Sequence, residues 1–77
     1  MTTVSISLNS IEKVKSFVNE IAKFEFDFDL ISGNYTIDAK SLMGIFSLDL
    51  SKHLDLNIHA EKDELSKVLE SLAPYIA

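Results

Sequence analysis

The sequence has no cysteine and no arginine, a single proline and only two glycines, and no apolar run near the length of a membrane span. Without cysteine there is no disulfide, no thiolate nucleophile and no thiolate ligand, so redox and zinc-finger chemistries are excluded and stability must come from packing. Seven lysines stand against twelve acidic residues, a formal charge of -5. A polyanion would be repelled by such a surface, so nucleic acid is not an expected partner. A span needs about 18 consecutive apolar residues, and the opening Met1-Thr2-Thr3 lacks a basic region followed by an apolar signal core. The expectation is a cytoplasmic protein with no membrane partner.

What is present fits a single folded domain over residues 1–77. The hydrophobic fraction of 47% and charged fraction of 25% are those of globular chains, and a chain this short has room for only one core. No internal repeat or low-complexity segment interrupts it.

Apolar spacing orders the elements. Val4, Ile6 and Leu8 alternate with Thr3, Ser5 and Ser7, the period of a strand with one buried face. Asn9 or Ser10 can then cap a helix whose Ile11, Val14, Phe17, Val18 and Ile21 recur every three or four residues. From Phe24 the period returns to two. Phe24, Phe26, Phe28 and Leu30 fall on one side and Glu25, Asp27 and Asp29 on the other, predicting a strand that starts at Phe24. Ser32-Gly33-Asn34 supplies a tight turn, and Tyr35–Asp38 reads as the returning strand, ended by Lys40.

Ser41 can cap a short helix near 42–49, whose apolar residues point in nearly every direction. Leu54, Leu56, Ile58 and Ala60 alternate with Asp55, Asn57 and His59 in a fourth strand, and Asp63 opens a last helix near 63–73, with Pro74 at its frayed end. The order β-α-β-β-α-β-α predicts an α+β open-faced sandwich. Four antiparallel strands carry helices on one face, and the other, bearing Glu25, Asp27, Asp29, Asp55, Asn57 and His59, meets water.

The segment Lys40-Ser41-Leu42-Met43-Gly44-Ile45-Phe46-Ser47-Leu48 resembles the regulatory-serine segment of HPr, the small phosphocarrier of the bacterial sugar phosphotransferase system, which usually reads close to K-S-I-M-G-V-M-S-L. Most positions keep the residue or change to a similar aliphatic. The hairpin turn Gly33-Asn34 and the helix start Asp63-Glu64 align as well, so the resemblance covers nearly the whole chain and implies the HPr-like fold. It also implies protein partners of the phosphotransferase or carbon-regulation type, no cofactor, and no enzymatic turnover.

HPr proteins carry phosphate on a histidine at the entrance of the first helix, in a G-x-H-A-R-P-A stretch, with an arginine two residues on. Ungapped counting back from Lys40 sets Leu8-Asn9-Ser10-Ile11-Glu12-Lys13-Val14 on that stretch. Ser10 stands at the histidine position, Glu12 at the arginine and Lys13 at the proline. A reversible phosphocarrier needs a nitrogen nucleophile, whereas a serine phosphoester is too stable to pass its phosphate on. Glu12 adds a like charge beside any phosphate, a cost of about 1 to several kcal/mol in a partly dry interface. The expected catalytic residues are therefore none. As a helix cap worth about 1 kcal/mol, Ser10 needs no further role.

His53 lies in the loop before the fourth strand and His59 on its outward register. Both are expected to be ordinary solvated histidines. With acids such as Asp55 they supply no recognised metal-ligand spacing.

Ser41 is both a helix cap and the residue that matches the family's regulatory phosphorylation site, where free backbone amides favour an added phosphate. Leu42, Met43 and Phe46 match positions that in HPr form an exposed patch used by successive partners; alternatively Met43 or Phe46 folds into the core. A regulatory paralogue, catabolite-repression HPr, has likewise lost the histidine and kept the serine. The expected function is partner binding through the second-helix patch, with the histidine relay lost and Ser41 open to phosphorylation. The alternatives are phosphotransfer through a non-standard acceptor such as His53 or His59, and a scaffold that only self-associates.

Overall fold

A computed structural model describes residues 2–77. Its elements are β1 (Thr2–Ile6), α1 (Ile11–Ile21), β2 (Phe28–Ser32), β3 (Tyr35–Asp38), α2 (Leu42–Phe46), β4 (Leu54–Ile58) and α3 (Lys62–Leu72), followed by a 3₁₀ turn at Ala73–Tyr75. The strands form one antiparallel sheet in the order β1-β4-β2-β3. This is the expected α+β sandwich.

Strand alternation sets the two sheet faces. Inward Leu54, Leu56 and Ile58 of β4 are buried, as are Phe28 and Leu30 of β2 and Ile6 of β1. Val14, Phe17 and Ile21 of α1, with Val68 and Leu72 of α3, close over them to make one core. Each such side chain gains roughly 1.5–3 kcal/mol on full burial. Between the long helices, the Ser71 hydroxyl donates to Glu20 Oε2 at 2.6 Å.

The β2–β3 register pairs Ser32 with Tyr35 across the two-residue loop Gly33-Asn34. Gly33 has φ +59°, while no non-glycine among the described residues has positive φ, which matches a turn with its strained position first. On the outer face, Asp29 lies opposite both Asp38 and Asn57.

Several boundaries differ from expectation. The strand foreseen from Phe24 begins only at Phe28, because both neighbours leave the sheet near that level: β4 ends where Ile58 pairs with Phe28, with one further contact from the His59 amide to the Asp27 carbonyl at 3.1 Å, and β3 ends at Asp38 opposite Asp29, one residue short of Phe28. Beyond that contact, residues 24–26 lie outside the sheet and fold over instead. The Phe24 and Phe26 rings stack with centroids 6.3 Å apart, and Lys40 Nζ donates to the Phe24 carbonyl at 2.8 Å while lying 5.7 Å from the Phe28 ring centroid.

β1 ends at Ile6, and Leu8 is buried beyond it. Lys40 does not end β3, since a turn begins at Ala39, held by the Lys40 amide on Asp38 Oδ1 at 2.9 Å. α2 stops at Phe46, where the Ser47 hydroxyl takes the Gly44 carbonyl at 2.6 Å and closes the helix. α3 opens at Lys62 after Glu61, so Asp63 lies within its first turn and complements the dipole. Pro74 does not fray the end but sits in the 3₁₀ turn that carries Tyr75 into the core, edge-on to Phe17 at 5.7 Å.

Candidate functional site

Two helix entrances are capped by serine side chains. At the first, Ser10 has extended backbone angles (φ −150°, ψ 157°), and its Oγ accepts the Lys13 amide at 3.1 Å, satisfying one of the donors left open at a helix start. Its side chain is exposed, and Glu12 lies in the first turn.

At the second, Ser41 Oγ accepts the Gly44 amide at 3.2 Å and the Ser41 carbonyl accepts the Ile45 amide at 3.0 Å. The amides of Leu42 and Met43, in the first turn, have no acceptor within the helix. Gly44 is needed for close approach: a Cβ there would meet Ser41 Oγ at 3.1 Å and Ile37 Cδ1 at 3.2 Å. Ile45 alone of the helix is buried, which anchors α2 to the core by one side chain. Met43 is 81% exposed, Phe46 39% and Leu42 37%.

Ser10 and Phe46 come together. They line one open groove of about 540 Å³ with Asn9, Ile11, Leu50 and Ser51. Ile11 was expected on the buried stripe of α1, but it is 62% exposed. It occupies the first position of the helix and turns to the groove beside Phe46, leaving Val14, Phe17 and Ile21 to fill the core. Spacing alone could not separate the two, since Ile11 lies three residues before Val14. Leu50 and Ser51 were also not foreseen; their signal was only their place just after an apolar helix. In that loop the Ser51 hydroxyl (2.6 Å) and then its amide (3.1 Å) donate to Asp49 and hold its carboxyl below the ordinary range.

The histidines lie elsewhere. His53 lines a second groove, of about 650 Å³, between the β2–β3 turn and the loop after α2, alongside Tyr35, Asp49 and Lys52. The fourth strand, expected to run through His59 to Ala60, ends at Ile58, so His59 lies just past β4, with its Nε2 2.8 Å from Asp29 Oδ2 of the outer sheet face. The ring is solvent-exposed and also paired with that carboxylate. Among the described residues no three histidine or acidic side chains converge on a metal position. No helix among them is long and apolar enough to cross a membrane.

A sequence model described as "PTS HPr component phosphorylation site" matches residues 12–77, beginning two residues after Ser10. The HPr-like protein Crh of Bacillus subtilis (strain 168) is 33% identical over 60 residues, 78% of this chain and 71% of that protein. Two solved structures share the fold. HPr-C-His from Thermoanaerobacter tengcongensis superposes with a TM-score of 0.73 at 28% identity, covering 94% of this chain and 90% of that one. The phosphocarrier protein HPr from Bacillus anthracis str. Ames gives 0.71 at 26% identity, covering 99% and 94%.

Proposed function

This chain belongs to the HPr family, and on that premise we propose that it works by binding protein partners, not by relaying phosphate from its first helix. HPr proteins are phosphocarriers of the phosphotransferase system. The observation that carries the proposal is the pairing of a hydroxyl with an acid at the α1 entrance. Ser10, which lines the apolar groove, spends its oxygen on the Lys13 amide, and Glu12 sits in the same first turn. A phosphoryl group there would meet a carboxylate where stabilisation requires a cation.

The groove and α2 supply what binding needs: Ile11, Leu42, Met43 and Phe46 exposed on a rigid scaffold. Ser41 is the regulatory position. Its exposed hydroxyl adjoins the open amides of the first turn, so a phosphate would be held locally and would set negative charge beside Leu42, Met43 and Phe46. An apolar patch would thereby become one that calls for a partner Arg or Lys. The partners are proteins of the phosphotransferase or carbon-regulation type, met in the cytoplasm, as the likeness to HPr-like protein Crh supports.

The test is incubation with a phosphoenolpyruvate-driven phosphotransferase mixture, followed by acid treatment of any labelled protein. No acid-labile label is expected. Acid-labile label on His53 or His59 would instead establish the alternative carrier reading.

A further inference from the structure

The groove beside His53 shares no residue with the groove of Ser10 and Phe46, and partner binding through α2 leaves it unused. It is built from two distant stretches of chain. Tyr35 and the β2–β3 turn form one wall, and Asp49, Lys52 and His53, in the loop after α2, form the other. Ile37 and Leu48, half-buried against the core, add apolar lining. Its volume of about 650 Å³ lies within the range of small-molecule sites, roughly 300–1,000 Å³.

The polar residues of the two walls offer different chemistry. Lys52 and His53 are exposed, and neither is in an ion pair among the described residues, where Lys23 takes Glu20 and His59 takes Asp29. In a chain of net charge -5, an unneutralised cation bordering a groove marks a place for an anion. Asp49 stands in the same wall. Its Oδ1 accepts both the Ser51 hydroxyl and the Ser51 amide, which holds the carboxyl below the ordinary range and leaves Oδ2 without a partner among the described residues. An ionised carboxylate only accepts hydrogen bonds, so it calls for hydroxyl donors and repels a second anion. Across the groove Tyr35 is 71% exposed, and its backbone is fixed by pairing with Ser32 across the turn. Such a ring offers a flat apolar face for stacking.

We infer that this groove binds a small phosphorylated polyol, with its phosphate at Lys52 and His53, its hydroxyls on Asp49 and its ring against Tyr35. A bare anion would meet Asp49 and leave Tyr35 idle. An uncharged sugar would leave Lys52 unused. Sugar phosphates and nucleoside monophosphates share the required chemistry, and they differ in whether a sugar or a base lies on Tyr35.

Amide NMR spectra of the full chain, titrated with ribose phosphate, adenosine monophosphate and inorganic phosphate, test this. The polyol phosphate that fits should shift the amides of Asn34, Tyr35, Lys52 and His53 together and saturate, with a dissociation constant of about 1 mM or tighter. Tighter binding of adenosine monophosphate assigns a base to Tyr35, and tighter binding of ribose phosphate assigns a sugar. Lys52→Ala and Tyr35→Ala should each weaken binding at least fivefold, whereas Tyr35→Phe, which keeps the ring, should not. These side chains are exposed, and the same spectra check that each variant is folded. Asp49→Ala gives the most selective reading, because it removes both an acceptor for hydroxyls and a charge that repels phosphate. It should weaken the polyol phosphate and tighten inorganic phosphate. No saturation by either polyol phosphate up to about 10 mM, inorganic phosphate bound as tightly as both, or affinity unchanged in both Lys52→Ala and Tyr35→Ala overturns the inference.

Discussion

Ser10 and Ser41 make the same contact, an Oγ accepting the amide three residues on, at 3.1 and 3.2 Å. The helices they open are unlike. α1 is an eleven-residue helix with Glu12 in its first turn and three residues in the core, whereas α2 is a five-residue helix with no acid in its first turn and only Ile45 buried. One hydroxyl therefore begins a helix that the core holds in place, and the other begins a helix that is mostly surface. The lesson is that capping chemistry decides where a helix starts, while the first turn decides whether an anion is welcome there.

The sharpest way to break this contrast is to give the first entrance the chemistry it lacks. Ser10→His with Glu12→Arg should convert a protein without acid-labile label into one that takes detectable phosphate from the general phosphotransferase enzyme, read by acid treatment of labelled protein. Failure with intact partner binding would place the defect in the groove, with Ile11 the first residue to suspect.

Next is phosphorylation at the second entrance. After treatment with a serine-specific HPr kinase, mass spectrometry should place the phosphate on Ser41. Calorimetry should then show binding to a catabolite-control regulator tightened about tenfold or more, equal to about 1.4 kcal/mol. Phe46→Ala should remove most of that gain. Phosphate on Ser10, or binding indifferent to both changes, would erase the distinction between the two serines.

Alanine at each cap gives a smaller effect, about 1 kcal/mol. Ser10→Ala should lower the denaturant midpoint of the whole protein, since α1 is part of the core. Ser41→Ala should appear mainly as faster amide exchange within α2, with a smaller change in the midpoint. Equal midpoint losses would mean that α2 is as tightly coupled to the core as α1.

The smallest effect concerns acid. The Ser71 hydroxyl, then Lys23, holds the Glu20 carboxyl on α1 below its ordinary value, and Ser51 does the same for Asp49 after α2. A carboxyl depressed in the folded state contributes stability above its unfolded pKa, and that contribution is lost as pH falls through the folded one. Ser71→Ala and Ser51→Ala should each flatten the fall of stability between about pH 5 and pH 3 and leave the slope above pH 6 unchanged. Because the Ser71 contact joins two core helices, its variant should also lose more stability at neutral pH.

Much of this architecture is set by local pattern. Leu54, Leu56 and Ile58 alternate and are buried together, and Val14, Phe17 and Ile21 recur at helical spacing and face the sheet. Both serine caps sit where their residue type and the apolar residues after them put them, because capping involves atoms only three residues apart. Tertiary structure alone decided the rest. Phe24 and Phe26 have a strand's alternation but no strand, since a strand needs a partner and β3 and β4 both leave at that level. Ile11 has the spacing of a core residue but faces Phe46 across a groove, because the loop after α2 reaches the first turn of α1. His59 meets an aspartate thirty positions earlier, and Ile76 reaches back to Ile6 to cover the sheet edge. Periodicity determines which side of an element is apolar, but which neighbour stands on that side depends on contacts between residues far apart in the chain.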